Sequence, residues 1–344
     1  MVAKQVMRWG CDMSDAAGTL PGGEEFAELT APYRRELLAH CYRMLGSVDD
    51  AEDQVQETLL RAWRSYADFE GRSSMRTWLH RIATNSCLRA LETRARRPLP
   101  SGLGGPAPDP DAPLATEGVD LPWLQPMPDS LVSTPASDPA SVVTSRMSLR
   151  LALIAALQYL PPRQRAVLIL RDALGWRAAE VADQLGTSTA AVNSALQRAR
   201  AQLTAMAPAE EDIREPDDPE VAALLARYAA AFEAADVAGL TALLSADAAL
   251  EMPPMDFWFS GRDLIARFLA RRVLIRPGEF RMAPVGGANG QPALAFYQRD
   301  ADCRYRAHAI QVFEITGGTI SGIVSFNDAS LFRAFGLPGS YPEP

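Results

Sequence analysis

Seven arginines, Arg72, Arg76, Arg81, Arg89, Arg94, Arg96 and Arg97, lie within residues 71–98 (GRSSMRTWLHRIATNSCLRALETRARRP). Glu92 is the single acid among them, although the whole chain carries a formal net charge of -8. A local positive excess on an acidic chain suits a polyanion held against one face. Guanidinium groups neutralise phosphates. Trp78 offers a stacking surface, and His80 and Asn85 offer hydrogen bonds to base edges. The segment reads as a nucleic-acid groove.

A second pattern lies at 175–203, GWRAAEVADQLGTSTAAVNSALQRARAQL. Ala182 is small where two helices must cross closely, and Gly186 follows four residues later at the turn. Val181, Leu185, Val192 and Leu196 supply a shared core, with Ala195 on the same side. This spacing is that of a helix-turn-helix. Ser188 or Thr187 caps the recognition helix. Thr189, Ala190, Asn193, Ser194 and Gln197 then face a major groove, and Arg198 and Arg200 reach phosphates.

These residues must be held by elements that periodicity makes visible. Tyr33, Leu37, Leu38, Cys41 and Leu45 repeat at helical spacing, and so do Val55, Leu59, Leu60 and Trp63. Ser47 or Asp49 can cap the second of these helices, whose first turn is acidic. Between Pro98 and Pro139 prolines and acids replace the period, interrupted by an apolar patch at Leu121, Trp123 and Leu124 that either docks or sits in a solvated loop. Helical period returns from Leu149 to Met206. After Val221 come two helices, a short strand near 249–252, a helix over 261–271, and period-two segments near 280–286, 292–299, 303–314 and 319–326 that read as antiparallel strands.

The 344 residues divide into a disordered N-terminus (1–23), a helical domain (24–98), a Pro-rich acidic linker (99–140), a helical domain with the helix-turn-helix (141–207), a short linker (208–218) and an α+β domain (219–344). Cys11, Cys41, Cys87 and Cys303 are scattered without a C-x-x-C pair, which argues against a metal site. No apolar run is long enough for a membrane span and no leader pattern opens the chain, so the expected compartment is the cytoplasm.

The order of a basic helical module, an acidic linker and a helix-turn-helix resembles the sigma-70 family of RNA polymerase initiation factors, and within it the extracytoplasmic-function (ECF) class. The resemblance rests on HCYRMLGSVDDAEDQVQETLLRAW (40–63), TWLHRIATNSCLRALETRARRP (77–98), LPPRQRAVLILRDALGW (160–176) and the helix-turn-helix. It implies that the helix from Asp49 to Trp63 binds the β′ clamp helices of core RNA polymerase through Asp49, Glu52, Asp53, Gln56 and Glu57. It also implies that the second helical domain meets the β flap. Residues 71–97 would capture the melted −10 element, with Asn85 reading a flipped-out base and the arginines holding the backbone. Trp78 is then either core or a stacking platform. The helix-turn-helix would read −35 DNA; basic residues often follow the central valine in the family, whereas Asn193 and Ala195 stand there in this chain. The linker is either a tether or a segment threading toward the polymerase active centre. No catalytic residue, cofactor or metal is implied, since the polymerase supplies the chemistry. An anti-sigma protein is a further candidate partner.

The last third resembles a SnoaL-like, nuclear-transport-factor-like cone, an appendage of the sigma-G and sigma-J type factors. Such a cone has a pocket. Met252, Met255, Phe257, Trp258, Phe259, Arg304, Arg306 and His308 are candidates to line it for a small ligand, although no spacing ties His308, Asp256 or Asp328 into an acid–base pair. The appendage is expected to modulate activity. The alternative is a ligand-responsive helix-turn-helix regulator with no polymerase contact.

Overall fold

The computed structural model describes residues 22–112, 120–132, 149–206 and 218–342. The first module is built from α1 (Gly23–Thr30), α2 (Arg34–Leu45), α3 (Val48–Arg64) and α4 (Met75–Glu92). Gly46 ends α2 at φ 70°, a left-handed conformation that glycine takes without a Cβ penalty. Ser47 follows at once as the cap of α3, its Oγ accepting the Asp50 N–H at 3.2 Å. Val48, Ala51, Val55, Thr58 and Ala62 are the buried stripe of α3. They pack with fully buried Leu37, Cys41, Met44, Leu79, Ala83 and Cys87.

The second module comprises α5 (Leu151–Leu157), α6 (Pro162–Leu168), α7 (Ala178–Leu185) and α8 (Thr189–Met206). Gly186, at φ 61°, makes the turn between α7 and α8. The third contains α9 (Pro219–Glu233), α10 (Val237–Leu243), β1 (Leu244–Glu251), β2 (Trp258–Ser260), α11 (Arg262–Phe268), β3 (Phe280–Ala288), β4 (Gln291–Arg299), β5 (Tyr305–Thr316), β6 (Thr319–Phe326) and α12 (Leu331–Ala334). The six strands run in the order β2-β1-β6-β5-β4-β3. The period-two segments form β3 to β6, antiparallel to one another as the pattern suggests, while β1, the short strand expected near 249–252, pairs with β6 in parallel. Between β1 and β6 the chain runs through β2, α11 and β3 to β5, a connection long enough for the two strands to pair in parallel.

The two faces of this sheet have different neighbours. One is covered by its own helices around Tyr228, Phe232, Phe259, Phe280, Phe296 and Phe313. The other presents Ala293, Ala295, Tyr297, Ile310, Val312 and Phe326, which belong to one continuous core with the helices of both preceding modules. The sheet therefore completes the core of the rest of the chain.

Asn289, fully buried in the β3–β4 turn at φ 58°, locks this junction. Its Nδ2 donates to Tyr42 Oη at 2.8 Å and to the Leu149 carbonyl at 2.7 Å. Its Oδ1 accepts the Met127 N–H at 2.9 Å. One amide thus joins the first module, the linker and the start of the second module. Arg165, also buried, donates to the Met44 carbonyl at the end of α2 and to Gln158 Oε1 at 2.8 Å. Burial away from water brings its guanidinium down to about 10.

The linker is not a free tether where it is described. Leu124 and Met127 are buried, the Gln125 N–H donates to the Gly46 carbonyl at 3.0 Å, and Arg97 donates to the Trp123 carbonyl at 2.8 Å. Earlier, Trp258 Nε1 donates to the Gly104 carbonyl at 2.9 Å, and Asp111 pairs with Arg267 and Arg271 at 2.7 and 3.0 Å. The expected disordered residues 1–21, Cys11 and most of the linker 208–218 lie outside the described residues. Among the described residues no helix is long and apolar enough to cross a membrane.

Removing the Asn289 amide leaves the Met127 N–H and the Leu149 carbonyl without their buried partner, each costing about 1–3 kcal/mol when unpaired, while the Tyr42 hydroxyl keeps its bond to the Gln125 carbonyl. Asn289→Gly should therefore lower the thermal midpoint clearly. Asn289→Ala should cost about 1 kcal/mol more stability and melt lower still, because alanine also meets the penalty of the left-handed backbone. Parallel thermal denaturation of the two variants checks both steps.

Candidate nucleic-acid and polymerase interface

Helix α4 carries the predicted groove, and its N-cap is Ser74, which accepts the Thr77 N–H at 3.1 Å. Asn85 and Arg89 point to its exposed side. The other predicted groups are engaged within the chain. Arg81 pairs with Asp183 of α7 at 2.7 Å. Gln184 of α7 donates to Asn85 Oδ1 at 3.0 Å and to the Arg81 carbonyl at 3.1 Å. The Arg96 guanidinium stacks over the Tyr159 ring, 4.1 Å from its centroid. Arg76 pairs with Glu36, Arg72 with Glu70, and Arg94 and Arg97 both with Asp50. The first helix of the helix-turn-helix thus covers the candidate base-reading position.

His80 does not face the groove. It is 1% exposed, and its Nδ1–H donates to the Arg76 carbonyl at 2.8 Å. A carbonyl accepts only, so Nδ1 carries the proton. Its ring stands 5.4 Å from that of His40, whose Nε2 lies 3.0 Å from Thr84 Oγ1. Trp78 is half-buried against Phe69 at 4.7 Å and Tyr66 at 6.4 Å, which makes it part of an aromatic cluster.

The recognition helix α8 shows the opposite state. Ser188 Oγ accepts the Ala191 N–H at 3.2 Å and starts the helix. Val192, Leu196 and Ala199 are buried, while Thr189, Ala190, Asn193, Ser194, Gln197 and Arg198 are exposed along one open face. Arg200 is exposed but paired with Asp172 at 2.7 Å. A helix that buries its apolar stripe against α6 and α7 and leaves small and amide side chains outward can enter a major groove.

Similarity to known proteins agrees with this arrangement. Residues 29–97 match Sigma-70 region 2, residues 150–203 match Sigma-70, region 4, and residues 225–323 match the SnoaL-like domain. The ECF RNA polymerase sigma factor SigG of Mycobacterium tuberculosis is 51% identical over 333 residues, covering 95% of this chain and 89% of the relative. The chain belongs to the ECF RNA polymerase sigma factor family. SigJ of the same organism is 30% identical over 291 residues, covering 82% of this chain and 85% of SigJ. The crystal structure of SigJ superposes with a TM-score of 0.59 at 25% identity, covering 92% of this chain and all of that one.

On region 2 of this sigma factor the acidic residues of α3 also have neighbours. Asp49, Asp53 and Gln56 are exposed and Glu52 is half-buried. They form one wall of a cleft of about 740 Å3 whose other wall is Ser330, Phe332, Arg333 and Leu337. Asp49 accepts from Gln125 Nε2 at 3.0 Å and lies 3.7 Å from Arg333, and Glu57 is paired with Arg61. Sequence reasoning missed Gln125, Asp183, Gln184 and Arg333, since nothing in their spacing ties them to α3 or α4.

The predicted SnoaL-like pocket is not assembled as expected. Met252 is buried in the aromatic interior, Met255 is half-buried, Trp258 holds the linker, and Arg304 is exposed. His308 is half-buried with its ring 5.8 Å from Phe296, and burial holds its imidazole below the usual histidine range. Phe257 and Phe259 face each other and Phe268. The cavity on this helix-covered side of the sheet, about 330 Å3, is lined instead by Leu225, Ala229, Met282 and Leu294.

The buried histidines of region 2 give a pH dependence. Burial holds both His40 and His80 below 6.5, so the folded chain takes up their protons at lower pH than the unfolded chain does. Stability conferred by these groups is present above 6.5 and falls as the pH drops through their folded values. Proton NMR titration should show both imidazoles taking up protons below the ordinary histidine range, and region 2 amides should lose exchange protection in mild acid. Two ordinary histidine titrations would contradict the assignment.

Proposed function

We propose that this chain is a promoter-recognition subunit of RNA polymerase that rests in a closed state, with region 4 covering the −10-reading face of region 2. The observation that carries the closed state is the pair of α7 side chains on α4, Gln184 on Asn85 and Asp183 on Arg81. The division of labour follows the groups. Asn85 reads an unpaired −10 base, Arg89 and the released arginines hold the backbone, and Ser188, Thr189, Ala190, Asn193, Ser194, Gln197 and Arg198 meet −35 DNA. Asp49, Glu52, Asp53, Gln56 and Glu57 contact the β′ clamp, and region 4 meets the β flap. The chain acts in the cytoplasm and borrows the catalysis of the polymerase. The SnoaL-like domain modulates activity by holding both regions through their common core.

The exposed Arg81–Asp183 pair is worth only about 0.2–1 kcal/mol, so closure is weak enough for polymerase or DNA to open it. Transcription with purified core polymerase tests the reading on the full chain. Removal of the last third would expose the apolar faces it covers, so point variants are preferable to truncation. Asp183→Ala with Gln184→Ala should raise open-complex formation by about 3- to 5-fold, the equivalent of about 1 kcal/mol. No core-dependent initiation by the native chain would instead favour a helix-turn-helix regulator working without polymerase.

Asn85→Ala should cost most at promoters carrying the preferred −10 base, by about 1–3 kcal/mol. Arg198→Ala should weaken all promoters alike and reduce the salt slope by about 1. Filter binding and initiation assays across a promoter library separate the two patterns.

A further inference from the structure

A second cavity lies on the face of the SnoaL-like sheet opposite its aromatic interior. It holds about 490 Å3 and opens between β1, β6 and β5 on one side and region 4 with the beginning of the linker on the other. Strand register sets its floor. Gly322 of β6 stands between Ala249 of β1 and Glu314 of β5, and the next row is Glu251, Val324 and Val312. Alternation places these six residues on one face.

Glycine at 322 creates the hollow. A Cβ there would come within 3.2 Å of the Glu314 side chain, which crosses the gap. Glu251 sits diagonally on the other side, its Oε2 accepting the Ser101 N–H at 2.8 Å. Leu151, Ala155 and Tyr159 form much of the opposite wall. The Tyr159 hydroxyl donates to the Gly102 carbonyl at 2.9 Å, closing the linker over region 4.

We propose that this cavity binds an apolar molecule bearing one primary ammonium or amidinium group. The volume falls within the range of small-molecule sites, and aliphatic walls with a few polar groups are their usual lining. Among the described residues, two carboxylates line the cavity against one guanidinium, that of Arg150, and leave the lining negative. Burial pushes both Glu251 and Glu314 upward, because their charged forms lose water without full compensation. A cation seated over Gly322 recovers that loss, whereas an anion adds to it and a neutral molecule leaves it unchanged. The site is made jointly by linker, region 4 and sheet, so an occupant stabilises the assembled form by mass action. This inference does not rest on the promoter reading, and its test reads binding directly.

Calorimetric titration of the full chain with 4-phenylbutylamine, beside its neutral counterpart 4-phenylbutanol, tests it. The amine should bind one-to-one, about tenfold or more tighter than the alcohol, the equivalent of about 1.4 kcal/mol. Glu251→Gln with Glu314→Gln should remove that preference. Gly322→Val should block both compounds by filling the hollow at unchanged charge. Should either variant melt early, the amine–alcohol comparison on the native chain still decides. Equal binding of the two compounds, amine binding indifferent to both variants, or no binding at millimolar amine would each overturn the proposal.

Discussion

The arrangement of the whole chain depends on the buried amide of Asn289. A two-residue turn between β3 and β4 needs a left-handed residue, and asparagine tolerates that conformation while keeping a side chain with two donors and an acceptor. Each of these is used on a different part of the chain: Tyr42 in region 2, Met127 in the linker and Leu149 at the head of region 4. None of these groups has water to fall back on. The junction is therefore directional in a way that apolar packing is not, and it fixes how three segments meet.

Around that point the SnoaL-like sheet works as a shared wall. Its own helices occupy one face with aromatic rings, and the other completes a core begun by the sigma regions. The larger space, about 490 Å3, lies on the second face, where three segments meet around Gly322. Arg165 makes a comparable bridge at the same end of α2, since its guanidinium satisfies carbonyls from both α2 and region 4.

The same assembly sets the state of the two DNA-facing helices. Because α7 and α8 belong to one helix-turn-helix, the side that meets α4 cannot also be the side offered to duplex DNA. Region 4 meets α4 through α7 and leaves the outer face of α8 open. The contacts that close the groove are exposed polar pairs, which are cheap to break, while the contacts that hold the domains are buried. The balance between weak cover and strong frame lets the chain be closed without being trapped.

Much of this was legible in the residues. The caps at Ser47 and Ser188, the turn at Gly186 and the buried stripe of α8 follow from spacing and local chemistry, because helices are determined by neighbours three and four residues apart. Of the stripe expected in α3 (Val55, Leu59, Leu60 and Trp63), by contrast, only Val55 is buried and Leu60 is exposed. The sigma regions, their order and the identity of the exposed recognition residues come from the same local information. The base-edge role expected of His80 did not survive, since burial depends on what packs above a residue and not on its neighbours in sequence. The parallel pairing of β1 with β6, the docking of the linker and the partnership of Asn85 with Gln184 were equally invisible. Each joins residues far apart in the chain, and such pairs are chosen by the shape and unsatisfied polar groups of a folded surface. Sequence by itself determined the modules and the chemistry each can offer; only the tertiary structure decided which of those groups are free to act.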